Sequence, residues 1–211
     1  TKQVVGPAAE LTKALAEKLG VPFEIKGEQG VPGVMDSVKK KEADIGFVAY
    51  DPTRAAEIDF TAPYVLIEGS YMVPQNSPIR SNEEVDRPGV RIVVGKGSAY
   101  DLFLTREIKN AELVRAPSSP DVVDYFVTHM HEVAAGVKQQ LEADLLRYSG
   151  YRLLPGRFMV IQQAMGTPKS RGPQAADYLA AFVEDMKAGG FVADALQRHG
   201  IQGASVAPAR L

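Results

Sequence analysis

The sequence predicts an α/β fold built as two lobes, and two observations support this. Short apolar runs typical of buried strands alternate with helical patterns along the 211 residues. Two longer strands are predicted at Val65 to Val73 and at Phe158 to Gln163, and they divide the chain. We therefore expect two lobes, each a mostly parallel sheet flanked by helices, joined by two crossover strands. Lobe one would comprise residues 1–74 and 164–211, and lobe two residues 75–163.

The composition excludes several classes of site. Hydrophobic residues make up 45% and charged residues 24%, as in an ordinary globular domain, and the net charge is −2, which indicates no nucleic-acid partner. The absence of cysteine excludes disulfides, cysteine zinc sites and cysteine nucleophiles. No apolar run approaches the length of a membrane span, and no signal peptide is visible in these residues.

The first helix is predicted from Pro7 to Leu19, because Leu11, Leu15 and Leu19 form one stripe before Gly20. A strand is predicted next, at Val21 to Ile25. An α/β chain usually opens with a strand, and only Gln3-Val4-Val5 precedes the helix. We therefore expect a first strand to be missing from lobe one.

The remaining elements follow from periodicity and from turn residues. Short strands are predicted at Ile45–Tyr50, Ile58–Thr61, Arg91–Val94, Glu112–Val114, His131–Ala134 and Tyr151–Leu154. Helices are predicted around Val34–Val38, Ser81–Asp86, Ser98–Lys109, Val122–Val127, Val137–Tyr148, Leu179–Met186 and Phe191–Arg198. The Gly-, Ala- and Pro-rich tail from Gly200 is expected to fray.

Arg54 is the first candidate functional residue. Asp51-Pro52 ends an apolar strand and begins a short helix, and Arg54 follows within one turn, where the helix dipole disfavours a cation. One interpretation is a bidentate contact with a ligand carboxylate. The other is a surface ion pair with a nearby carboxylate: Asp51, Glu57 or Asp59.

The turn Gly95-Lys96-Gly97-Ser98 is the second candidate. Ser98 and Asp101 fit a capping box, so Ser98 should begin a helix whose backbone N–H groups attract anions. The spacing fits neither a Walker loop nor a dinucleotide fingerprint. A plain capped turn is the alternative.

No catalytic or metal site is predicted. His129 and His131 would need a third ligand to bind a metal, and His199 is distant in sequence, so solvated histidines at a helix end are expected. Ser70 and Ser98 lack a neighbouring histidine, and no Gly-x-Ser-x-Gly motif is present. No cofactor is predicted.

Several of these segments resemble the extracellular solute-binding proteins of amino-acid ABC transporters, family 3, which have the periplasmic binding protein type II fold. The most specific block comprises Asp44–Phe47, Asp51–Ala55 and Ile58–Tyr64, and Val93–Ser98 and Gly189–Phe191 support it. The resemblance covers nearly the whole chain.

The resemblance implies a ligand site between the lobes. Arg54 would bind the α-carboxylate of the ligand. The other implied or well-placed residues are Phe47, Val48, Ala49 and Tyr50 in lobe one and Gly95, Gly97, Ser98, Ala99 and Gly136 in lobe two. Ala49 stands where the family often has a hydroxyl. Gly136 stands where it usually has an aspartate for the ligand ammonium, so the amine half of the site is not supported.

The resemblance also implies partners and a location. The chain would be a non-enzymatic, monomeric component that delivers a small carboxylate-bearing ligand to an ABC permease, in the periplasm or another extracytoplasmic space. Two alternatives remain. One is a dehydratase of the same fold acting on a cyclic carboxylic acid, with Glu132 as its general acid or base. The other is a sensory module that binds a partner protein.

Overall fold

The computed structural model describes residues 3–211, and the chain divides into two compact units. Unit 1 consists of Thr1–Leu66 and Gln162–Leu211, and unit 2 of Ile67–Ile161. Both combine strands with helices, which confirms the predicted α/β class. No helix within residues 3–211 is long and apolar enough to cross a membrane.

The helices and strands alternate along most of the chain. The first part of unit 1 contains α1 (Pro7–Leu19), α2 (Gly30–Lys39), β1 (Gly46–Ala49), α3 (Pro52–Ala55) and β2 (Ile58–Phe60). Strand β3 (Val65–Pro74) then runs from unit 1 into unit 2. Unit 2 continues with β4 (Arg91–Gly95), α4 (Ala99–Glu107), β5 (Glu112–Ala116), α5 (Val122–Thr128), β6 (Val133–Val137), α6 (Lys138–Arg147) and β7 (Tyr151–Leu153). Strand β8 (Met159–Pro168) returns to unit 1, which ends with α7 (Gly172–Ala188), α8 (Phe191–Arg198) and β9 (Ala204–Val206).

The sheet of unit 1 is organised around β8. Strand β1 pairs antiparallel with it, Ala49 opposite Gln163, and β2 pairs antiparallel with its other end, Ile58 opposite Pro168. Helix α2 packs on this sheet through Met35 and Val38, which form a buried cluster with Val48 and Ile58. The sheet therefore fixes where β1 ends and the Asp51-Pro52 turn begins.

The parallel pairings are in unit 2. Strand β4 lies between β5 and β6 and is parallel to both, whereas β3 is antiparallel to β6 on one edge and to β7 on the other. Helix α5 covers this sheet with Val122, Val123 and Phe126, which are buried against Met72 and Val93. Because β4 and β6 are parallel, the turns after Gly95 and Val137 lie at the same edge of the sheet.

Two predicted features of unit 1 are wrong. Residues Val21 to Ile25 form no strand, and Val21 and Phe23 are about half exposed. Gln3-Val4-Val5 is also irregular. The tail was expected to fray, but Ala204–Val206 forms β9 beside β3, and the Ala207 N–H donates to the Tyr64 carbonyl at 3.0 Å.

Candidate functional site

Strand β1 ends in a capped turn. The Asp51 side chain accepts a 2.8 Å hydrogen bond from the backbone N–H of Thr53, and Pro52 is the first residue of α3. Asp51 satisfies one of the N–H groups that a helix start leaves without a partner, and Pro52 has none to satisfy. The sequence signal for this turn is thus confirmed, and it places Arg54 one turn beyond the end of β1.

Arg54 is buried, with 4% of its surface exposed. Its Nη1 donates a 2.7 Å hydrogen bond to the carbonyl oxygen of Ala49. Burial lowers the pKa of Arg54 and the charge of Asp51 opposes this, although an arginine with a lowered pKa still stays protonated at neutral pH. Glu57, one of the expected ion-pair partners, instead binds Lys39 at 2.8 Å. The turn therefore fixes a cationic, planar donor group at the end of β1.

The other candidate residues of unit 1 lie along β1 and just after it. Val48 and Ala49 are buried in the core, so Ala49 acts on Arg54 through its backbone carbonyl. Phe47 packs edge-on against Tyr64, with ring centroids 6.0 Å apart, and burial raises the pKa of Tyr64 to about 12. Tyr50 is partly exposed and packs edge-on against Phe60.

In unit 2 the turn after β4 forms the predicted Ser98 cap, but the Asp101 carboxylate bonds the N–H of Gly97 instead of that of Ser98. Ser98 Oγ accepts from the N–H of Asp101 at 3.1 Å, and the Asp101 carboxylate accepts from the N–H of Gly97 at 2.8 Å. Gly97 has a φ of 73°, a left-handed conformation that favours glycine. The Gly97 N–H is thus used within the turn, and the Asp101 N–H is used by the cap. Ala99 and Tyr100 are the first two residues of α4, so their N–H groups have no acceptor one turn earlier in the helix.

Gly95 has a packing role. A Cβ at this position would lie 2.7 Å from both the N and Cα atoms of Ser119, so only glycine fits without a backbone shift. Gly95 thus lets β4 pass the turn that leads into α5.

The sequence did not reveal what orients Asp101. This carboxylate is buried, with 4% of the residue exposed, and the Nε of Arg115 on β5 donates to it at 3.0 Å. Thr105, one turn along α4, also donates to it at 3.2 Å. Arg115 is distant in sequence, so no local spacing could have indicated it.

Gly136 contributes no side chain at the strand ends. It is buried in β6 opposite Ser70, and a Cβ there would lie 3.2 Å from Leu141 of α6. Val137 follows as the N-cap residue of α6 and makes no side-chain cap. Neither residue supplies a carboxylate at the edge where Gly97 and Ser98 lie.

Glu132 is engaged at the other end of β6. Its carboxylate accepts from Arg91 at three donors, the backbone N at 2.8 Å, Nε at 2.9 Å and Nη2 at 2.7 Å. The side-chain hydrogen bond with Arg91 is the main reason that its pKa lies below the ordinary value. Glu132 and Arg91 mark the amino ends of β6 and β4, at the edge of the sheet opposite Ser98.

A family comparison identifies the chain. The model of the bacterial extracellular solute-binding proteins, family 3, matches residues 1–201. The chain belongs to this family. Members of this family are binding components that are located outside the cytoplasm. They bind a small-molecule ligand and have an ABC permease as their partner. The predicted resemblance is confirmed.

Solved structures share the fold of this family 3 protein at low sequence identity. An amino acid ABC transporter substrate-binding protein from Streptococcus pneumoniae bound to L-arginine is 18% identical, with a TM-score of 0.74 over 94% of this chain and 84% of that one. A histidine kinase sensor domain with similarity to periplasmic binding proteins is 16% identical, with a TM-score of 0.78 over 96% and 88%. An ancestral amino-acid-binding protein, a precursor of cyclohexadienyl dehydratase, is 18% identical, with a TM-score of 0.72 over 93% and 86%. No curated protein sequence matches the chain significantly.

Proposed function

We propose that this family 3 protein binds a small ligand through a carboxylate and delivers it, as a monomer, to an ABC permease. The observation that supports the carboxylate is the buried Arg54, whose guanidinium is oriented by the Ala49 carbonyl at the end of β1. A guanidinium positioned in this way matches the planar geometry of a carboxylate.

In this proposal, each unit supplies one part of the ligand-binding site. Unit 1 would supply Arg54 with Phe47 and Tyr50. Unit 2 would supply the N–H groups of Ala99 and Tyr100 at the start of α4, next to Gly97 and Ser98, whose own N–H groups donate within the turn. The ligand would be enclosed between the units, so that its negative end meets a cation on one side and a helix N-terminus on the other.

The proposal does not require an α-amine on the ligand. Gly136 and Val137 bring no carboxylate to the strand ends, and Ala49 brings no hydroxyl. An ammonium group would therefore lack a charged partner among these residues. We expect organic acids, or amino acids recognised mainly through their carboxylate and side chain.

A matched ligand series tests this specificity. L-arginine, guanidinovalerate without the α-amine and agmatine without the carboxylate would be titrated by calorimetry, alongside a panel of small organic acids. We expect acids with and without an α-amine to bind alike, and the decarboxylated analogue not to bind. Binding of agmatine, or of no acid at all, would contradict the proposal.

Arg54→Met, with Arg171→Met as an exposed control, tests the residue itself. Losing a hydrogen bond to a charged group costs about 1.5–3 kcal/mol, so affinity should fall at least about tenfold for Arg54→Met only. An equal affinity in both variants would remove Arg54 from the site.

The dehydratase alternative gains no support from Glu132. A general acid or base needs a pKa near the working pH, whereas Arg91 lowers the pKa of Glu132. Incubation with a cyclic carboxylic acid such as prephenate, followed by absorbance, would reveal turnover if another group served this role.

A further inference from the structure

Three charged side chains form a cluster at one edge of the unit 2 sheet. Gly69 of β3 pairs with Val137, the last residue of β6. Their neighbours in the chain, Glu68 and Lys138, therefore lie just beyond the end of β6. Lys138 Nζ donates to one oxygen of Glu68 at 3.1 Å, and Arg157 Nη1 donates to the other at 3.5 Å. Because β4 and β6 are parallel, this is the same edge at which the turn after β4 leads into α4.

The segment that carries Arg157 lies beside α4. The backbone N–H of the next residue, Phe158, donates to the Gly69 carbonyl at 3.0 Å. The Phe158 ring stacks on that of Tyr71, with centroids 4.1 Å apart, and lies 6.2 Å from the ring of Phe103. Phe103 is about one turn into α4. These contacts place the cluster on the side of unit 2 that supplies the start of α4 to the proposed solute site.

The cluster carries a net positive charge, because two cations share the one carboxylate of Glu68. The side chains of Lys138, Glu68 and Arg157 are 36%, 37% and 55% exposed, so solvent reaches all three. Within residues 3–211, neither cationic side chain has another polar partner. An ammonium group at this edge would find both carboxylate oxygens already paired. An anionic group would find N–H donors that are still unused.

We propose that the solute is a dicarboxylic acid whose second carboxylate binds Lys138 and Arg157. The proposal rests on the proposed function, in which Arg54 binds the first carboxylate. Hydrogen bonds from lysine and arginine to a carboxylate are strengthened by charge, and Glu68 holds both donor groups at the edge without using all their N–H groups. The two cations therefore select for acids that carry a second negative group.

Matched acids of equal chain length test the proposal by calorimetry. Succinate, glutarate and adipate would be compared with the monoacids butyrate, valerate and hexanoate, and with the ω-amino acids of the same lengths. We expect one diacid to bind at least about tenfold more tightly than its monoacid and its ω-amino acid. Equal binding of every diacid and its monoacid, or tighter binding of an ω-amino acid than of any diacid, would overturn this proposal and leave the carboxylate at Arg54 in place. Binding of no acid would overturn both proposals.

Lys138→Met and Arg157→Met, with Lys109→Met as an exposed control in unit 2, test the residues. The first two should each weaken binding of the preferred diacid at least about tenfold and leave its monoacid unchanged, whereas Arg54→Met should weaken both acids. A role in folding alone would not change the ratio of the two affinities. Arg157 lies on another segment, so Arg157→Met keeps the test valid if Lys138→Met does not fold. An unchanged ratio in the folded variants would overturn the proposal.

Reversal of the charge at Lys138 provides an independent check. Lys138→Glu leaves Arg157 as the one cation beside two carboxylates, so the net charge of the cluster becomes negative. We expect the preference to change from the diacid to the ω-amino acid of the same length, while Lys138→Arg keeps the preference for the diacid. A Lys138→Glu protein that still prefers the diacid would overturn the proposal.

Discussion

Arg54 Nη1 lies 2.7 Å from the carbonyl oxygen of Ala49, five residues earlier in the chain. This bond folds the arginine back over its own turn and ties its guanidinium to the end of β1. The orientation of the cation therefore depends on the short helix α3 and on the residue that caps it.

Removing the cap of α3 should destabilise the protein. Asp51→Ala removes the acceptor for the Thr53 N–H, whereas Asp51→Asn keeps an oxygen there. We expect Asp51→Ala to lower the free energy of unfolding by about 1 kcal/mol more than Asp51→Asn, as measured by urea denaturation. Equal losses would mean that the charge of Asp51, and not its hydrogen bond, is what matters.

Truncation of Asp101 should loosen the start of α4. Asp101→Ala leaves the N–H of Gly97 and the guanidinium of Arg115 without their acceptor. We expect a loss of about 2 kcal/mol in unfolding free energy, because a buried carboxylate with charged partners is removed. Asp177→Ala on the exposed face of α7 is the control and should change stability by less than about 0.5 kcal/mol. Similar effects of the two substitutions would contradict this role.

Gly95→Ala separates packing from ligand contact. The added Cβ would lie 2.7 Å from the Ser119 backbone, so we expect a loss of about 1–3 kcal/mol of stability even without ligand. Gly27→Ala has nothing within 4 Å of the new Cβ and should be nearly neutral. Thermal unfolding of both variants without ligand measures the difference. A stable Gly95→Ala protein would argue against the close approach to Ser119.

Asp86 should make stability depend on acid pH. Its carboxylate accepts from the backbone N–H groups of Lys109, Asn110 and Ala111. Desolvation raises the pKa of Asp86, but the hydrogen bonds from these N–H groups together lower it by a larger amount. The pKa of Asp86 therefore lies below its ordinary value. The folded pKa is thus below the unfolded one. The stabilisation is complete above the unfolded pKa and is lost as pH falls through the folded pKa.

The measurement for Asp86 is the free energy of unfolding from about pH 6 down to about pH 2.5. The difference between the unsubstituted protein and Asp86→Asn should shrink as the pH falls across this range. A difference that is constant with pH would show that the carboxylate charge contributes nothing.

The sequence correctly predicted the helices and turns whose limits depend on residues close together in the chain. The bounds of Pro7–Leu19 and Phe191–Arg198 are as expected, since apolar spacing and the glycines that flank these helices define them. The Ser98 cap is likewise a matter of spacing, and so is the Asp51-Pro52 turn.

Pairing partners could not be predicted. Val21 to Ile25 has the alternation of a strand, but alternation does not supply a neighbour, and the order of described strands ends at β1 on that side. The prediction for the tail was wrong in the opposite direction: the tail forms a strand where none was expected. Its composition gave no sign that an edge of β3 was available for pairing. Arg115 reaches Asp101 from another strand, which no local spacing encodes.

Unit 1 is formed by two segments that flank unit 2 in the chain, and this has a consequence for biosynthesis. A ribosome makes all of Ile67–Ile161 before it makes β9, which pairs with β3. Unit 2 can therefore fold on the nascent chain, while unit 1 waits for its last strand. Released, truncated chains that end at residue 161 should show protease resistance in unit 2 and none in residues 3–66. The opposite pattern would show that unit 1 folds without its C-terminal half.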